Sequence, residues 1–398
     1  MSQPKAPYRI DTQLIHAGEL DPRVAGAVSM PVFQSSTFAS AGETNYHDLR
    51  YIRLNNTPNH QVLHAKLAAL EGAEAALVAA SGMAAISTTL LALLSAGDHL
   101  LVQDCLYGGT RSLIAEDLAR LGITATFIDA DEPSSWAAAL QPTTRLIYVE
   151  SMTNPLLQVA DLQGVVAFAR AYGLLAVIDN TLATPLNYRP LHSGFDLALH
   201  SCTKYLNGHT DIVAGAVAGS AALVERVKRR LDHLGGALDP HACFLLYRGL
   251  KTLALRVRHQ NRSTLAIAKF LAQHPAVHKV NYPGLGSHPR HQRACELFGE
   301  PGGTAEKGGF GGLLSFELHG GRAAAERLLG RLVLPIDAPS LGGVETLITR
   351  PAATSHAGLA ADERERLGIT EALIRLSVGV EDTDDLIADL EQALGGPT

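Results

Sequence analysis

The 398-residue chain has few cysteines and no strong excess of charge of either sign. Its four cysteines, Cys105, Cys202, Cys243 and Cys295, lie far apart and form no C-x-x-C pair. This spacing argues against a disulfide framework or a zinc site and favours reduced thiols. The formal net charge of -6 argues against a surface that binds nucleic acid or an anionic membrane.

Neither a signal peptide nor a membrane span is indicated. Residues 1–13 are polar and lack the apolar core of a signal peptide. One uncharged stretch of 23 residues, from Ala75 to Gly97, is long enough to cross a bilayer. It is built from small residues and contains a turn at Ser81-Gly82, so a buried strand, a turn and a helix account for it better. We therefore expect a cytoplasmic protein with no membrane segment.

Short apolar strands alternate with helices from His60 to Ala218. This alternation predicts an α/β fold with a large, mostly parallel sheet that helices cover on both faces. A long helix is predicted from near Leu245 to beyond Arg262, and a smaller α+β pattern follows it. Ligands of such sheets bind beyond the carboxyl ends of the strands, so the polar residues there are the candidate site.

The predicted elements divide the chain into three parts. The predicted strands are 76–80, 100–102, 124–128, 146–149, 174–178, 197–199, 212–218, 313–318 and 375–378, and the remaining predicted helices are 61–71, 83–94, 110–121, 161–172, 322–332 and 383–394. We expect an N-terminal arm at 1–60 that contacts a neighbouring subunit, a large α/β domain at 61–256 and a C-terminal α+β domain at 257–398. The glycine-rich segment 299–312 is typical of a mobile loop.

The segment after the strand predicted at 197–199 carries two hydroxyls and one lysine, Ser201, Thr203 and Lys204. Lysine is scarce here, with eight lysines against twenty-five arginines. A partly desolvated lysine has a lowered pKa, so its amine can attack an aldehyde near neutral pH. The hydroxyls can donate hydrogen bonds to a phosphate, and an aldehyde that carries a phosphate is pyridoxal 5′-phosphate (PLP). The alternative is an ordinary surface lysine after a strand.

Polar residues at other strand ends suit the same cofactor. Gly82 follows a strand and opens a helix whose N–H groups can bind a phosphate, although a plain tight turn has the same sequence. Asp179 can pair with a protonated pyridine nitrogen or cap a helix. Tyr107 can stack on a ring and transfer a proton, or be a buried structural tyrosine. Arg375, on an apolar strand, can bind an α-carboxylate or form a salt bridge to another domain.

A metal site is not expected. His288, His291 and Cys295 have a loosely metal-like spacing, but they follow the turn-forming segment Tyr282-Pro283-Gly284. A solvated or capping role for these side chains is the better interpretation.

The chain resembles the PLP-dependent trans-sulfuration enzymes of Cys/Met metabolism, which have fold type I, from about Thr12 to Leu394. The resemblance rests on these segments in this order: Tyr51-Ile52-Arg53, Ser81-Gly82-Met83-Ala84-Ala85, Asp104 to Thr110, Glu150 to Pro155, Asp179-Asn180-Thr181, Ser201 to Tyr205, Arg248 to Leu253, Tyr282 to Leu285, Ser340 to Glu345 and Arg375 to Gly379.

The resemblance implies roles for individual residues. Lys204 would hold PLP and then transfer protons, Asp179 would pair with the pyridine nitrogen, and Tyr107 would stack on the ring and handle the leaving-group proton. The other residues that it implies for cofactor binding are Gly82, Met83, Thr181, Ser201, Thr203 and, from the arm of an adjacent subunit, Tyr51 and Arg53. Those that it implies for substrate binding are Asn154, Ser340, Arg375 and, for a distal carboxylate, Arg111.

The resemblance also implies a function. We expect a carbon–sulfur lyase that acts on cystathionine or a related amino acid by α,γ- or α,β-elimination. The alternative is a γ-replacement enzyme, either cystathionine γ-synthase or O-acylhomoserine sulfhydrylase, and a more remote one is a non-catalytic relative. Sulfur amino acids or homoserine esters would be the substrates. A dimer would be the smallest active unit, and relatives usually form tetramers.

Four departures from the family pattern limit the choice of substrate. The arginine that resemblance to cystathionine γ-lyases would place at a distal carboxylate is shifted by one position, to Arg111. The segment Leu54 to His60 is one residue longer than in many relatives. Gly109 stands where methionine γ-lyases carry a cysteine, which weakens that assignment. Pro339 precedes Ser340, as in plant-like γ-synthases, whereas γ-lyases often have Glu or Val there.

Overall fold

The computed structural model describes residues 8–299, 309–358 and 360–395. Its strands are β1 (Ala75–Ala79), β2 (His99–Gln103), β3 (Thr124–Ile128), β4 (Thr144–Glu150), β5 (Leu175–Asp179), β6 (Leu197–Ser201), β7 (Gly215–Gly219), β8 (Val277–Asn281), β9 (Leu313–Leu318), β10 (Ile336–Asp337), β11 (Leu347–Thr349) and β12 (Leu373–Ser377). Its α-helices are α1 (Ile10–His16), α2 (Pro58–Glu71), α3 (Gly82–Leu93), α4 (Gly108–Ser112), α5 (Pro133–Trp136), α6 (Leu162–Tyr172), α7 (Thr184–Asn187), α8 (Pro190–Ser193), α9 (Ala221–Leu234), α10 (Pro240–Leu250), α11 (Leu253–Gln273), α12 (His291–Phe298), α13 (Gly321–Leu329), α14 (Ala361–Arg366) and α15 (Thr383–Leu394).

The larger sheet has seven strands in the order β1-β7-β6-β5-β4-β2-β3. Strands β6, β5, β4, β2 and β3 are parallel, whereas β7 runs antiparallel to both of its neighbours. The chain passes from β6 to β7 through turns without a crossover helix, and a connection of that kind gives an antiparallel pair. The predicted α/β class and the large, mostly parallel sheet are confirmed.

Both faces of this sheet are covered, which explains why its strands are apolar runs. Along β4, Ile147 and Val149 join the core on one face, while Leu146 and Tyr148 join the core on the other. All four side chains are fully buried. Alternate residues of a strand point to opposite faces, so both sets of side chains are buried when the strand is covered on both sides. Apolar residues are therefore favoured at every position.

The smaller sheet has five strands in the order β10-β11-β12-β9-β8, with its own apolar core. The long helix α11 packs against β8, β9 and α15, and it also contacts α1 at the other end of the chain. The predicted boundary between residues 256 and 257 falls inside α11. The three domain limits stay a prediction.

Two stretches differ locally from the predicted secondary structure. Residues 10–16, which lie in the predicted arm, form α1, of which only Leu14 is buried. One buried position gives no readable helical periodicity. The helix predicted at 110–121 is instead α4 followed by a π-helical segment at Leu113–Leu118.

The single helix predicted from Leu245 to beyond Arg262 is wrong, because the chain breaks between α10 and α11. A Cβ atom on Gly249 would lie 2.3 Å from the carbonyl oxygen of Asn207, so the chain packs closely on the segment after β6 at this point. The N–H of Thr252 bonds to the carbonyl of Gly249 in a tight turn. The break therefore coincides with a close tertiary contact at the end of α10.

The uncharged stretch from Ala75 to Gly97 forms β1 and α3, as predicted. Among the described residues no helix is both long and apolar enough to cross a bilayer. Residues 300–308 of the predicted mobile loop lie outside the described part of the chain.

Truncation of the core of the smaller sheet should destabilise the protein. Leu390 is fully buried, and Leu390→Ala should lower the free energy of unfolding by about 2–5 kcal/mol, because the cavity that it leaves cannot fully collapse. The matched control is Leu121→Ala, at a leucine that is 54% exposed, with an expected change within about 0.5 kcal/mol. Urea denaturation of both variants measures the difference, and equal losses would contradict this account of the core.

Candidate active site

A cavity of about 750 Å³ lies at the carboxyl ends of β4, β5 and β6, where loops of the smaller sheet reach the larger one. Most of the predicted site residues line it. These are Gly82, Met83, Tyr107, Asn154, Asp179, Thr181, Ser201, Thr203, Lys204, Ser340 and Arg375. Ser340 and Arg375 belong to the smaller sheet and its loops, so the two sheets build the cavity together.

Lys204 projects from the turn after β6 and its Nζ donates a hydrogen bond to Ser340 Oγ at 2.8 Å. Burial lowers the pKa of its amine to about 8, and the positive charge of Arg375 acts in the same direction. Ser340 has a φ of 103°, in the left-handed region that side chains disfavour. The hydroxyl that meets Lys204 is thus presented by a strained backbone.

Arg375 lies on β12, and its side chain is almost completely buried. Its Nη2 donates to the carbonyl of Ser340 at 2.7 Å, and its Nη1 donates to Asn154 Oδ1 at 3.3 Å. Burial lowers its pKa to about 10. Its Nε has no hydrogen-bond partner, and no ion pair to Arg375 occurs in the described parts of the chain. A buried guanidinium with an unbonded Nε and no ion pair favours the interpretation that Arg375 binds a carboxylate ligand over the alternative of an interdomain salt bridge.

Two carboxyl groups, Glu150 and Asp179, lie side by side at the ends of β4 and β5. Burial raises the pKa of both, that of Glu150 well above its ordinary value, and the charge of Asp179 raises it further. Asp179 Oδ1 accepts from the N–H of Thr181 at 2.9 Å, and Glu150 Oε1 accepts from the N–H of Tyr107 at 2.8 Å. In the described residues neither group forms an ion pair, and of the neighbouring charges only that of His200 acts on Asp179 to lower its pKa. A cationic ligand atom would therefore find a ready partner.

The start of α3 forms a cradle beside Ser201. Ser81 caps the helix by accepting from the N–H of Ala84 at 2.9 Å, and the N–H groups at the helix start remain for a ligand. A Cβ on Gly82 would lie only 2.8 Å from that of Ser201. Thr181 Oγ1 holds the Ser201 N–H at 2.8 Å. A glycine at a helix N-terminus that faces a hydroxyl is a suitable phosphate site.

Arg111 lies outside the set of residues that line the cavity. Its Nη2 forms an ion pair with Glu363 Oε1 at 2.7 Å, and its Nη1 donates to the carbonyl of Asp104. The guanidinium also lies 4.4 Å from the centre of the Phe127 ring. Contact with a distal carboxylate therefore stays a prediction, and it would require this pairing to change.

Tyr51 and Arg53 are also outside the cavity of their own chain. Arg53 Nη1 donates to the carbonyl of Asp232 at 2.7 Å, and the guanidinium lies 5.6 Å from the centre of the Tyr51 ring. Their role in an adjacent subunit, where they would contact a phosphate, stays a prediction.

His291 and Cys295 are neighbours on α12, with Nε2 and Sγ 3.6 Å apart. His288 Nδ1 instead accepts from the N–H of Arg290. Within residues 8–299, 309–358 and 360–395 no group of three His, Cys, Asp or Glu side chains is placed to hold a metal ion.

The cavity residues to which sequence reasoning gave no role include the polar side chains of Glu150, Thr354 and Ser355. Glu150 had a readable signal, because it is a carboxylate at the end of a predicted strand beside the strand that ends in Asp179. Thr354 and Ser355 follow β11, far along the chain, and only the packing of the two sheets brings them to the cavity.

Comparison with known proteins gives one family. A family model described as "Cys/Met metabolism PLP-dependent enzyme" matches residues 11–395. The chain is 42% identical to an L-methionine gamma-lyase of Pseudomonas putida and 41% identical to a cystathionine gamma-synthase of Mycobacterium bovis, with 96% of each chain covered in both cases. A crystal structure of cystathionine gamma-lyase from Lactobacillus plantarum complexed with L-serine has a TM-score of 0.90 and 38% identity, and covers 98% of this chain and 99% of that one.

The Lys204 amine should lose its proton, and so become reactive, at a lower pH than an ordinary lysine. In cofactor-free protein, labelling of Lys204 by an amine reagent should rise with pH around a midpoint near 8, because the neutral amine is the nucleophile. Arg375→Gln should move the midpoint upward, since it removes a neighbouring positive charge. Peptide mass spectrometry measures the labelling, and a midpoint near the ordinary lysine value of about 10.4 would contradict the prediction.

Proposed function

Because the chain belongs to the Cys/Met metabolism PLP-dependent enzymes, we propose that it is a carbon–sulfur lyase acting on cystathionine or a related sulfur amino acid. The reaction would be an α,γ- or α,β-elimination. The observation that carries the proposal is the buried Lys204 amine, which lies in one cavity with Asp179 and Arg375. Members of the family are enzymes, so the non-catalytic alternative is not supported.

The residues of the cavity fit PLP. Lys204 supplies an amine for the aldehyde, and the N-terminus of α3 with Ser201 supplies donors for the phosphate. The Thr203 hydroxyl donates to the carbonyl of Ala214 at 3.2 Å and would have to release that bond to join them. Asp179 is a buried carboxylate without a cationic partner in the described parts of the chain, which suits a pyridine nitrogen that carries a proton. When bound, PLP supplies an electron sink that stabilises negative charge on the substrate carbons.

Lys204 is the candidate base of the reaction. With a pKa lowered to about 8, its amine is closer to the operating pH than an ordinary lysine, which favours removal of a proton from the substrate Cα. The same amine can deliver that proton to a neighbouring carbon. Its hydrogen bond to Ser340 Oγ fixes the nitrogen while it does so.

The remaining residues orient the substrate and its leaving group. Arg375, with Asn154 and Ser340 beside it, would hold the α-carboxylate. Tyr107 is 44% exposed and lines the cavity, so its phenol can give a proton to the leaving sulfur. The side chain of Tyr107 also offers a face on which the cofactor ring can stack.

A γ-replacement enzyme is the second candidate. Pro339, which resembles the residue of plant-like γ-synthases, lines the cavity next to Ser340. The chain is about as similar to a γ-synthase as to lyases, so similarity alone favours neither. Both reactions use the same early proton transfers and differ in what captures the activated substrate.

The absence of a side chain at Gly109 bears on whether methionine is a substrate. A Cβ at this position would lie 2.8 Å from the Tyr107 ring and 3.2 Å from Met83 Sδ. A cysteine, as methionine γ-lyases carry, would displace Tyr107 or Met83 from its present position. The cavity wall beside Tyr107 therefore differs from that of an enzyme with cysteine at this position, and this difference favours cystathionine-like substrates over methionine.

We also propose a homo-oligomer, with a dimer as the smallest active unit and a tetramer as the expected assembly. Tyr51 and Arg53 lie outside their own cavity, and Tyr51 is partly exposed, so both are available to an adjacent subunit. The cytoplasmic location stays a prediction.

Substrate assays test the reaction. Cystathionine alone should yield pyruvate or 2-oxobutyrate with ammonia, whereas an O-acylhomoserine with cysteine should give little replacement product. The ratio of the two oxo acids separates α,β- from α,γ-elimination. Lys204→Ala is the control and should abolish both products. Efficient formation of cystathionine from the ester and cysteine would instead establish the γ-replacement enzyme.

The two buried carboxyl groups should respond differently to amide substitution. Asp179→Asn removes the anion proposed to pair with the pyridine nitrogen, and kcat should fall by about a hundredfold, equivalent to about 2.7 kcal/mol. Glu150→Gln replaces a group whose pKa is raised by burial and by the charge of Asp179, and the amide oxygen can still accept from the N–H of Tyr107. Its effect on kcat should be small. Steady-state kinetics compares the two, and equal losses would contradict the assignment of Asp179.

A further inference from the structure

Arg256, on α11, is a buried arginine whose partners are backbone carbonyls and a hydroxyl. Its Nη1 donates to the carbonyl of Tyr205 at 2.8 Å, and its Nη2 donates to that of Gly249 at 2.9 Å and more weakly to that of Leu206. Its Nε donates to Thr252 Oγ1 at 3.1 Å. No carboxylate pairs with it anywhere in the described chain. Burial of a charge without a counter-ion costs free energy. We therefore expect the backbone contacts of Arg256 to have a role other than that of an ion pair.

Two of the three carbonyls that accept from Arg256, those of Tyr205 and Leu206, belong to the turn that carries Lys204. Tyr205 and Leu206 directly follow Lys204, and the Gly208 N–H closes the turn by bonding to the carbonyl of Lys204 at 2.8 Å. A Cβ on Gly208 would lie 1.9 Å from Arg256 Nη1, so the turn packs directly on the guanidinium. The break between α10 and α11 leaves the Gly249 carbonyl available to the same group.

Gln260, one helical turn further along α11, makes the corresponding contacts with the other half of the cavity. Its Nε2 donates to the carbonyl of Gly343 at 2.8 Å and to that of Val378 at 3.2 Å. Gly343 lies three residues after Ser340, and Val378 lies three residues after Arg375. Positions four apart face the same side of a helix, so one face of α11 contacts both backbones.

We infer that Arg256 and Gln260 are positioning residues, which together set the distance between Lys204 Nζ and Ser340 Oγ. The guanidinium fixes the turn of Lys204 and the amide fixes the loop of Ser340, while α11 is a rigid spacer between them. The planar fork of arginine directs donors from three separate nitrogens in fixed directions, whereas the three donors of a lysine ammonium all lie on one nitrogen. The inference rests on the proposed role of Lys204 in holding PLP.

The test uses the cofactor-loaded enzyme and reads the pH midpoint of its visible absorbance, together with kcat, KM and Tm. Arg256→Lys keeps the charge but loses the fork, and it should shift the midpoint by about half a unit or more. It should also lower kcat by about tenfold or more, with a smaller change in KM. Gln260→Leu should produce the same kind of shift, and it keeps the test decisive if the Arg256 variant does not fold.

Two controls separate positioning from general stability. Arg262→Lys, at an exposed position of the same helix, should leave the midpoint and kcat unchanged. Leu390→Ala should lower Tm without shifting the midpoint. A folded Arg256→Lys protein with an unchanged midpoint and kcat would overturn the inference, as would an equal shift in Leu390→Ala. A wild-type protein without visible absorbance after addition of PLP would instead overturn the proposed function itself.

Discussion

Removal of ionisable groups from water is the constraint on which the cavity depends. Burial lowers the pKa of Lys204 and Arg375 and raises that of Asp179 and Glu150. Burial therefore disfavours the charged form of each of the four groups, and each gains from a ligand group of the complementary kind. An aldehyde would react with the Lys204 amine, a carboxylate would pair with Arg375, and a cationic ring nitrogen would pair with Asp179. The chemistry of the family thus follows from desolvation and from the placement of a few side chains.

The cavity exists because two sheets meet over it. The larger sheet supplies Lys204 and the carboxyl groups from the ends of neighbouring parallel strands, as expected for a fold of this class. The smaller sheet supplies Ser340 and Arg375, and α11 contacts the backbone of both halves. Burial of apolar side chains in the cores of the two sheets therefore offsets the cost of placing groups that are individually costly to bury.

The sequence was sufficient for the fold class and for the parts of the cavity that follow local rules. The strands at 124–128 and 313–318 and the helix at 383–394 have their predicted bounds, because their apolar periodicity is strong. The break before α11 was not predicted, and it coincides with the approach of Gly249 to Asn207, which lies far from it in the sequence. The pairing of Arg111 with Glu363 joins distant parts of the chain, and no local pattern indicates it.

Ser340 has a consequence for how related sequences are read. Its φ of 103° would be relaxed by glycine, so conformational preference and hydrogen bonding make opposite demands at this position. A sequence with glycine at this position would have a relaxed backbone but would lack the hydroxyl that accepts from Lys204 Nζ. Serine at 340 therefore keeps a hydrogen bond at the expense of backbone conformation.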